Sequence, residues 1–129
     1  DGRSSLSKLS MPAISRRPDR GPGSDAQEKV MILVTGSVVA REESFDEVCR
    51  LSLEHVQRSR KEPGCISHAV HIDCEDPLRL VFVERWADRA ALLAHFAVAA
   101  SRDFVRALQP LAASATSIEL YDATRLEKL

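Results

Sequence analysis

From residue 30 onward, strand-like and helix-like hydrophobic patterns follow one another in an order that few folds share. Val30–Ala40 is apolar on both faces of an extended chain, which predicts an interior strand. Cys65–Asp73 and Leu78–Trp86 are predicted as the second and third strands, and the short turn between them predicts an antiparallel hairpin. Ser117–Ala123 is predicted as the fourth strand.

Two helical regions separate these strands. The first follows Ser44 and Glu47, whose spacing is that of a capping box, and it ends before the Pro-Gly turn at residues 61–64. The second begins after Asp88, a candidate N-cap, and runs to about Ala99. The element order is therefore β-α-β-β-α-β, which predicts an α+β, ferredoxin-like fold.

This topology predicts an open sheet face. Ser101 is a candidate cap for a further helical stretch that ends at Pro110. Right-handed crossovers place the helices on one side of a four-stranded antiparallel sheet. Apolar residues also point to the other side, and an uncovered apolar face of this kind predicts a homodimer packed sheet on sheet. These outward residues are Val39, Val81, Val83 and Tyr121.

Length and composition predict one domain with an N-terminal extension. The chain has 129 residues, which suits a single core. Residues 1–29 hold three of the five glycines and three of the six prolines and lack a periodic apolar face, so we expect them to form an extension without a core. Residues 30–125 are the predicted domain, and residues 126–129 are a predicted C-terminal tail.

Charge and cysteine content exclude several classes of partner. The formal net charge is −1, so nothing favours nucleic acid or an anionic membrane surface. No apolar run approaches the roughly 18 residues of a membrane-spanning helix, so we expect no membrane partner. Three cysteines without a C-x-x-C pair suit reduced thiols, which predicts a cytoplasmic location.

Polar residues stand among the apolar ones on the predicted inner face. His95 shares a helix face with Phe96, and the third strand places Phe82, Glu84 and Trp86 together. A buried carboxylate costs several kcal/mol unless it is paired, so Glu84 needs His95, an arginine or a ligand nearby. Two interpretations stay open at this point: a functional pocket or a structural polar pair.

The histidine spacing on the second strand does not predict a metal site. His68 and His71 resemble a ligand pair, but residues three apart on a strand point to opposite faces. Strict alternation puts Ile66 with His68 on one face and Cys65 with His71 on the other. A phosphate-binding loop and a nucleophile elbow are both absent from the sequence, and Cys65 has no base within reach along its strand.

Three short motifs lie along the domain: E-P-G-C at residues 62–65, F-x-E-x-W at residues 82–86, and L-x-x-H at residues 92–95, followed by Phe104. With the element order, these motifs resemble the antibiotic biosynthesis monooxygenase family over residues 31–123. The resemblance implies a dimeric α+β barrel, in which two ferredoxin-like subunits pack their sheets together. It also implies a cofactor-independent oxygenase, since characterised members act on quinols and on polycyclic phenols or anthrones.

On this resemblance we expect a monooxygenase that uses dioxygen and a small electron-rich aromatic substrate, with no metal, flavin or other cofactor. His95 is the candidate base or proton shuttle, and Glu84 is the residue expected to orient it. The candidate substrate-binding residues are Trp86, Phe82, His68 and Phe96.

The chain also departs from the family pattern. Many relatives carry an aromatic residue where His68 stands and a second histidine where Ala100 stands. The positions that hold haem in the haem-degrading branch are occupied here by Gly36 or Ser37, His95 and Val105, so haem is not expected. A superfamily isomerase or lyase, or a non-catalytic dimer that binds an aromatic ligand, stays open as an alternative.

Overall fold

The computed structural model describes residues 30–129, and within the unit Val30–Ala123 it contains four strands and three α-helices. The elements are β1 (Met31–Val39), α1 (Phe45–Ser59), β2 (Cys65–Ile72), β3 (Arg79–Trp86), α2 (Arg89–Ala97), α3 (Ala99–Leu108) and β4 (Ser117–Ala123). Single 3-10 turns at Glu42–Ser44 and Gln109–Leu111 precede α1 and follow α3. The predicted α+β order is confirmed. The extension predicted for residues 1–29 lies outside the described residues.

The four strands form one antiparallel sheet in the order β2-β3-β1-β4. Val34 of β1 pairs with Glu84 of β3 on one side and with Leu120 of β4 on the other. The strand that is apolar on both faces is therefore an interior strand, as predicted. Helix α1 packs against β2, and α2 packs against β1 and β3, so the helices lie on one face of the sheet.

The core under the helices is divided in two. One apolar cluster contains Val38, Val56 and Leu80, and the other contains Val34 and Trp86. On β3 the inward positions run Leu80, Phe82, Glu84, Trp86, so the carboxylate stands between the two clusters. His68 holds the matching place on β2, directly opposite Glu84 in the register. A polar layer thus crosses the middle of the core.

A bulge in β2 corrects the predicted facing of its first residues. The register shifts between Cys65 and Ser67, which places Cys65 opposite Trp86 on the inner face. Ile66, predicted to share the face of His68, is instead 49% exposed. His68 itself points inward, because the bulge adds one residue before it and strict alternation resumes afterwards.

The helix starts agree only in part with the predicted caps. Asp88 Oδ1 accepts a hydrogen bond from the Ala91 amide at 2.8 Å, which confirms this N-cap. The capping box predicted at Ser44 is wrong, because its hydroxyl donates to Leu111 O at 2.7 Å. Glu47 pairs instead with Arg50 one turn along the helix.

The cap predicted at Ser101 is also wrong. Helix α3 begins two residues earlier, with Val98 as the N-cap, so Ser101 lies within its first turn. The Ser101 side chain is buried, and its Oγ has no hydrogen-bond partner among the described residues. An unpartnered buried hydroxyl costs free energy, so this Oγ is a candidate to hydrogen-bond a ligand or water in the cavity that Ser101 lines.

The sheet face opposite the helices carries apolar side chains. Val83 is 37% exposed and Tyr121 is 45% exposed, and both belong to this outer face by their register with β1. Within residues 30–129, no helix has the length and apolar character required to cross a bilayer.

Candidate functional site

A cavity of about 490 Å³ opens between the inner face of the sheet and helices α2 and α3. This volume suits a small organic ligand. Its walls are largely apolar and include the rings of Phe82, Phe96 and Phe104. Nine polar or charged residues also line it, among them the exposed Arg102 and Arg106. Four of the nine are buried: His55, Glu84, His95 and Ser101. The unpartnered Ser101 hydroxyl is therefore next to a space that a ligand or water can fill.

Three buried imidazoles form a triangle beside the cavity. They come from three elements: His55 from α1, His68 from β2 and His95 from α2. The ring centroid of His55 lies 5.2 Å from that of His68 and 5.2 Å from that of His95, and the centroids of His68 and His95 are 5.7 Å apart. Only His55 and His95 border the cavity, so His68 forms a layer behind them.

His95 is held by a carboxylate that the sequence did not indicate. Its Nδ1 lies 2.8 Å from Oε1 of Glu62, at hydrogen-bond distance. Glu62 reaches this position because Gly64 has a positive φ of 82° and packs against Ala91, which brings the α1–β2 connection onto α2. Since a carboxylate only accepts, Nδ1 carries a proton, and in the neutral ring Nε2 then keeps a lone pair, which is the arrangement of an oriented base.

The Trp86 ring supports the same imidazole from another side. Its centroid lies 4.6 Å from that of His95, and its side chain is fully buried. Trp86 was predicted to wall the substrate, but it does not border the cavity and instead packs behind His95. Trp86 lies away from the cavity because it is the last residue of β3, where it pairs with Cys65 of β2 and packs under α2.

Glu84 has different partners from those predicted. Its Oε1 accepts a hydrogen bond from Trp86 Nε1 at 2.9 Å, and its Oε2 lies 3.2 Å from His68 Nε2. The second contact is close enough for an ion pair but is not aligned as a hydrogen bond. The expectation that Glu84 orients His95 is therefore wrong, because strand register sets Glu84 opposite His68 while Glu62 approaches His95 from the connection.

Glu84 is the ionised member of the polar layer. Burial is the largest influence on its carboxyl and opposes ionisation. The His68 side chain, the Trp86 N–H and the more distant His95 together outweigh burial, so the pKa of Glu84 is held below its ordinary value. A negative charge therefore persists at the cavity wall at neutral pH.

His55 is the main site residue that sequence patterns did not reveal. Its ring stacks on Phe104 at 4.1 Å, and its Nδ1 lies 2.8 Å from a guanidinium nitrogen of Arg58. Burial, followed by the positive charges available to His68, His95 and Arg58, lowers the pKa of His55 to about 3. One signal was present: His55 lies seven residues after buried Val48, on the inner face of α1.

The structure brings together four of the six predicted site residues at the cavity wall: Phe82, Glu84, His95 and Phe96. His68, expected to contact substrate, is 2% exposed and lies behind Glu84 rather than at the wall. The sequence did not indicate two site residues, His55 and Glu62. It also did not indicate that the Phe104 ring is the surface on which His55 stacks.

No group of three histidine, cysteine or acidic residues within residues 30–129 has the arrangement of a metal site. The surroundings of the three imidazoles explain why they do not form a metal site. The Arg58 guanidinium occupies Nδ1 of His55 at 2.8 Å, and its fixed positive charge opposes a cation nearby.

Comparison with known proteins agrees with this architecture. An uncharacterised protein of Synechocystis sp. is 32% identical over 98 residues, which are 76% of this chain and 67% of that protein. A crystal structure of an antibiotic biosynthesis monooxygenase is 32% identical, with a TM-score of 0.67 over 71% of this chain and 97% of its own. A Bacteroides thetaiotaomicron structure, described as a conserved protein of unknown function and possible oxidoreductase, is 23% identical, with a TM-score of 0.69 over 74% of this chain and 99% of its own.

The antibiotic biosynthesis monooxygenase family profile matches residues 31–107, which include β1 through most of α3. That match covers more than half of the chain and includes His55, Glu62, Glu84 and His95. The chain belongs to the antibiotic biosynthesis monooxygenase family.

Proposed function

We propose that this protein is a cofactor-independent monooxygenase that oxidises a small electron-rich phenol or quinol with dioxygen. One observation carries the proposal: a largely apolar cavity of about 490 Å³ has at its wall an imidazole whose Nδ1 is held by a carboxylate. Such a pair is suited to proton abstraction, and the surrounding rings are suited to an aromatic substrate.

The proposed base is His95 Nε2. Glu62 holds the opposite nitrogen at 2.8 Å, and Trp86 packs against the ring, so the imidazole is fixed in one orientation. The carboxylate also stabilises the imidazolium that forms when His95 takes a proton. A substrate hydroxyl at the cavity wall therefore meets a preorganised base among largely apolar side chains.

The proposed reaction needs no external reductant. His95 removes the phenolic proton, and the resulting phenolate passes one electron to dioxygen, which gives a substrate radical and superoxide. Recombination forms a carbon–oxygen bond, and the ring-bound peroxide takes up a proton. The O–O bond then breaks with loss of the ring C–H proton, which yields a quinone and one water. The substrate supplies all four electrons that reduce dioxygen, so one phenol and one dioxygen give one quinone and one water.

We propose in addition that the working form is a homodimer packed through the outer sheet face. Val83 and Tyr121, both substantially exposed, lie on this face with half-buried Val81 and Leu33. Packing two such faces together buries apolar surface that the described helices leave uncovered.

The experiment is oxygen uptake by purified protein treated with a metal chelator, with hydroquinone as the substrate. We expect catalytic consumption of one dioxygen per quinone formed and no turnover when oxygen is removed. Turnover without oxygen would instead support an isomerase or lyase. Saturable binding of quinols with no chemistry in either atmosphere would contradict the oxygenase and favour a ligand-binding protein.

A further inference from the structure

We propose that His55 is a fixed N–H donor at the cavity wall, and that His55 and His95 together bind a single ligand hydroxyl. This inference deepens the proposed function, because it names the group of the substrate that is held and deprotonated. It rests on the opposite hydrogen-bonding roles that two neighbouring imidazoles are forced to adopt by their different partners.

Arg58 determines the role of His55. A guanidinium donates hydrogen bonds and cannot accept them, so the His55 Nδ1 that lies 2.8 Å from Arg58 must present a lone pair. The ring is then neutral and carries its only proton on Nε2. The same guanidinium group donates to Ala100 O at 3.3 Å, which ties Arg58 to helix α3 and restricts its movement.

Glu62 determines the opposite role of His95. The carboxylate accepts from Nδ1 at 2.8 Å, so the neutral His95 ring carries its proton on Nδ1 and presents a lone pair at Nε2. Two imidazoles with ring centroids 5.2 Å apart thus line one cavity, one with a donor and the other with an acceptor. Stacking on Phe104 at 4.1 Å fixes the plane of the donor ring.

A hydroxyl group is complementary to this pair. Its proton can be donated to His95 Nε2 while its oxygen accepts from His55 Nε2–H. An ether or a ketone satisfies only the donor and leaves the acceptor unpaired in a buried place, which weakens binding. After proton transfer, the phenolate oxygen has two N–H groups directed at it, from His55 and from protonated His95. The arrangement therefore favours phenols and lowers the pKa of a bound phenol.

The charges that surround His55 are consistent with a neutral donor. Four side chains contact the His55 ring: Arg58 from the same helix, His68 from β2, His95 from α2 and Phe104 from α3. Arg58 is a cation, and the two histidines can become cations. A second proton on His55 would be opposed by all three. Two carboxylates lie beside the imidazole triangle, and each contacts another histidine: Glu62 contacts His95, and Glu84 contacts His68.

The test is the binding of 4-nitrophenol, followed by its absorbance, with 4-nitroanisole as the ether of matching shape. In the wild-type protein we expect 4-nitrophenol to bind at least tenfold more tightly than the ether and to ionise at lower pH when bound. His55→Phe keeps an aromatic ring against Phe104 but removes the donor, so we expect about tenfold weaker binding of 4-nitrophenol. Binding of the ether as tight as that of the phenol would overturn the inference.

Arg58→Leu tests what fixes the donor, and Arg50→Leu is its matched control. Arg50 lies on the same helix but is exposed and pairs with Glu47 and Glu54, away from the cavity. We expect weaker 4-nitrophenol binding in Arg58→Leu and wild-type binding in Arg50→Leu. Equal binding by the two variants would show that Arg58 does not set the role of His55.

Nitrogen-15 NMR of the wild-type protein provides a test that does not depend on the folding of a variant. We expect His55 to remain a neutral ring protonated on Nε2 between pH 5 and pH 8, in line with a pKa of about 3. A ring protonated on Nδ1, or a cation at pH 6, would overturn the inference. Neither measurement requires oxygen, so the donor can be confirmed even where oxygen uptake fails.

Discussion

Oε1 of Glu62 lies 2.8 Å from Nδ1 of His95, across a separation of 33 residues in sequence. This contact joins the connection after α1 to the last turn of α2, and it orients the imidazole that borders the cavity. A carboxylate in this position fixes the tautomer of the ring and stabilises its protonated form. The contact therefore identifies Glu62, and not Glu84, as the carboxylate that acts on the proposed base.

Replacing the base should abolish most turnover without unfolding the protein. We expect His95→Ala to lower the rate of oxygen uptake by roughly 10²–10⁴-fold, the usual contribution of a positioned acid–base group. Turnover and melting temperature should be measured on the same samples. A folded His95→Ala protein with undiminished uptake would remove His95 from the mechanism.

Glu62 and Glu84 should respond differently to removal of charge. Glu62→Gln weakens the stabilisation of protonated His95, so we expect a fall in kcat and a change in its pH profile. Glu84→Gln should act mainly on stability, by about 1–3 kcal/mol, because Glu84 contacts Trp86 and His68 rather than His95 Nδ1. The assignment of Glu62 fails if Glu84→Gln causes the greater loss of kcat per folded molecule.

Acidification should destabilise the fold through His55. Its pKa is lowered from 6.5 to about 3. Between these two pH values His55 binds a proton in the unfolded chain but not in the folded chain. The stabilisation is fully present above pH 6.5 and is lost as the pH falls toward 3, with a slope of at most about 1.4 kcal/mol per pH unit from this group. Urea titrations between pH 4 and pH 7 should show a shallower pH dependence for His55→Phe than for wild type; parallel curves would argue against a buried neutral His55.

Glu84 should add to acid sensitivity at lower pH. Its pKa is depressed below 4.5, since contacts with His68, Trp86 and His95 overcome the opposing effect of burial. Its contribution is present above pH 4.5 and disappears as the pH falls through the lower folded value. Glu84→Gln should remove this part of the acid transition, which can be followed by circular dichroism below pH 4.5.

Association should depend on the outer sheet face. We expect sedimentation to give about twice 14.3 kDa for the wild-type protein. Val83→Asp should shift the protein toward monomer, because an unpaired charge in an apolar interface is costly. Leu93→Asp is the matched control, since Leu93 is 64% exposed on α2, on the helix side. A wild-type monomer, or equal effects of the two substitutions, would contradict the proposed interface.

Local patterns were sufficient to predict the sheet and helices. The turn before Leu78–Trp86, an apolar first strand and the Asp88 cap are signals contained within a few neighbouring residues. They determine element order, and element order with right-handed crossovers leaves one arrangement of helices on the sheet. The boundaries of β4 were predicted without error for the same reason.

Side-chain partners across elements were harder to predict. The bulge between Cys65 and Ser67 turns the Cys65 side chain to the inner face of the sheet. Strict alternation along the strand does not predict this bulge. Glu62 reaches His95 only because the turn at Gly64 closes onto α2, a contact between segments about thirty residues apart. His55 lies on the inner face of its helix, but its role depends on which donor meets its Nδ1.

Incorporation of labelled oxygen tests the central claim most directly. Chelator-treated protein is given hydroquinone under ¹⁸O₂, and the product is trapped at once by reduction and examined by mass spectrometry. We predict one ¹⁸O atom in each product molecule, the second appearing in water, and loss of this labelling in His95→Ala. A product that carries no ¹⁸O, or labelling that persists unchanged in folded His95→Ala, would contradict a monooxygenase that uses His95 as its base.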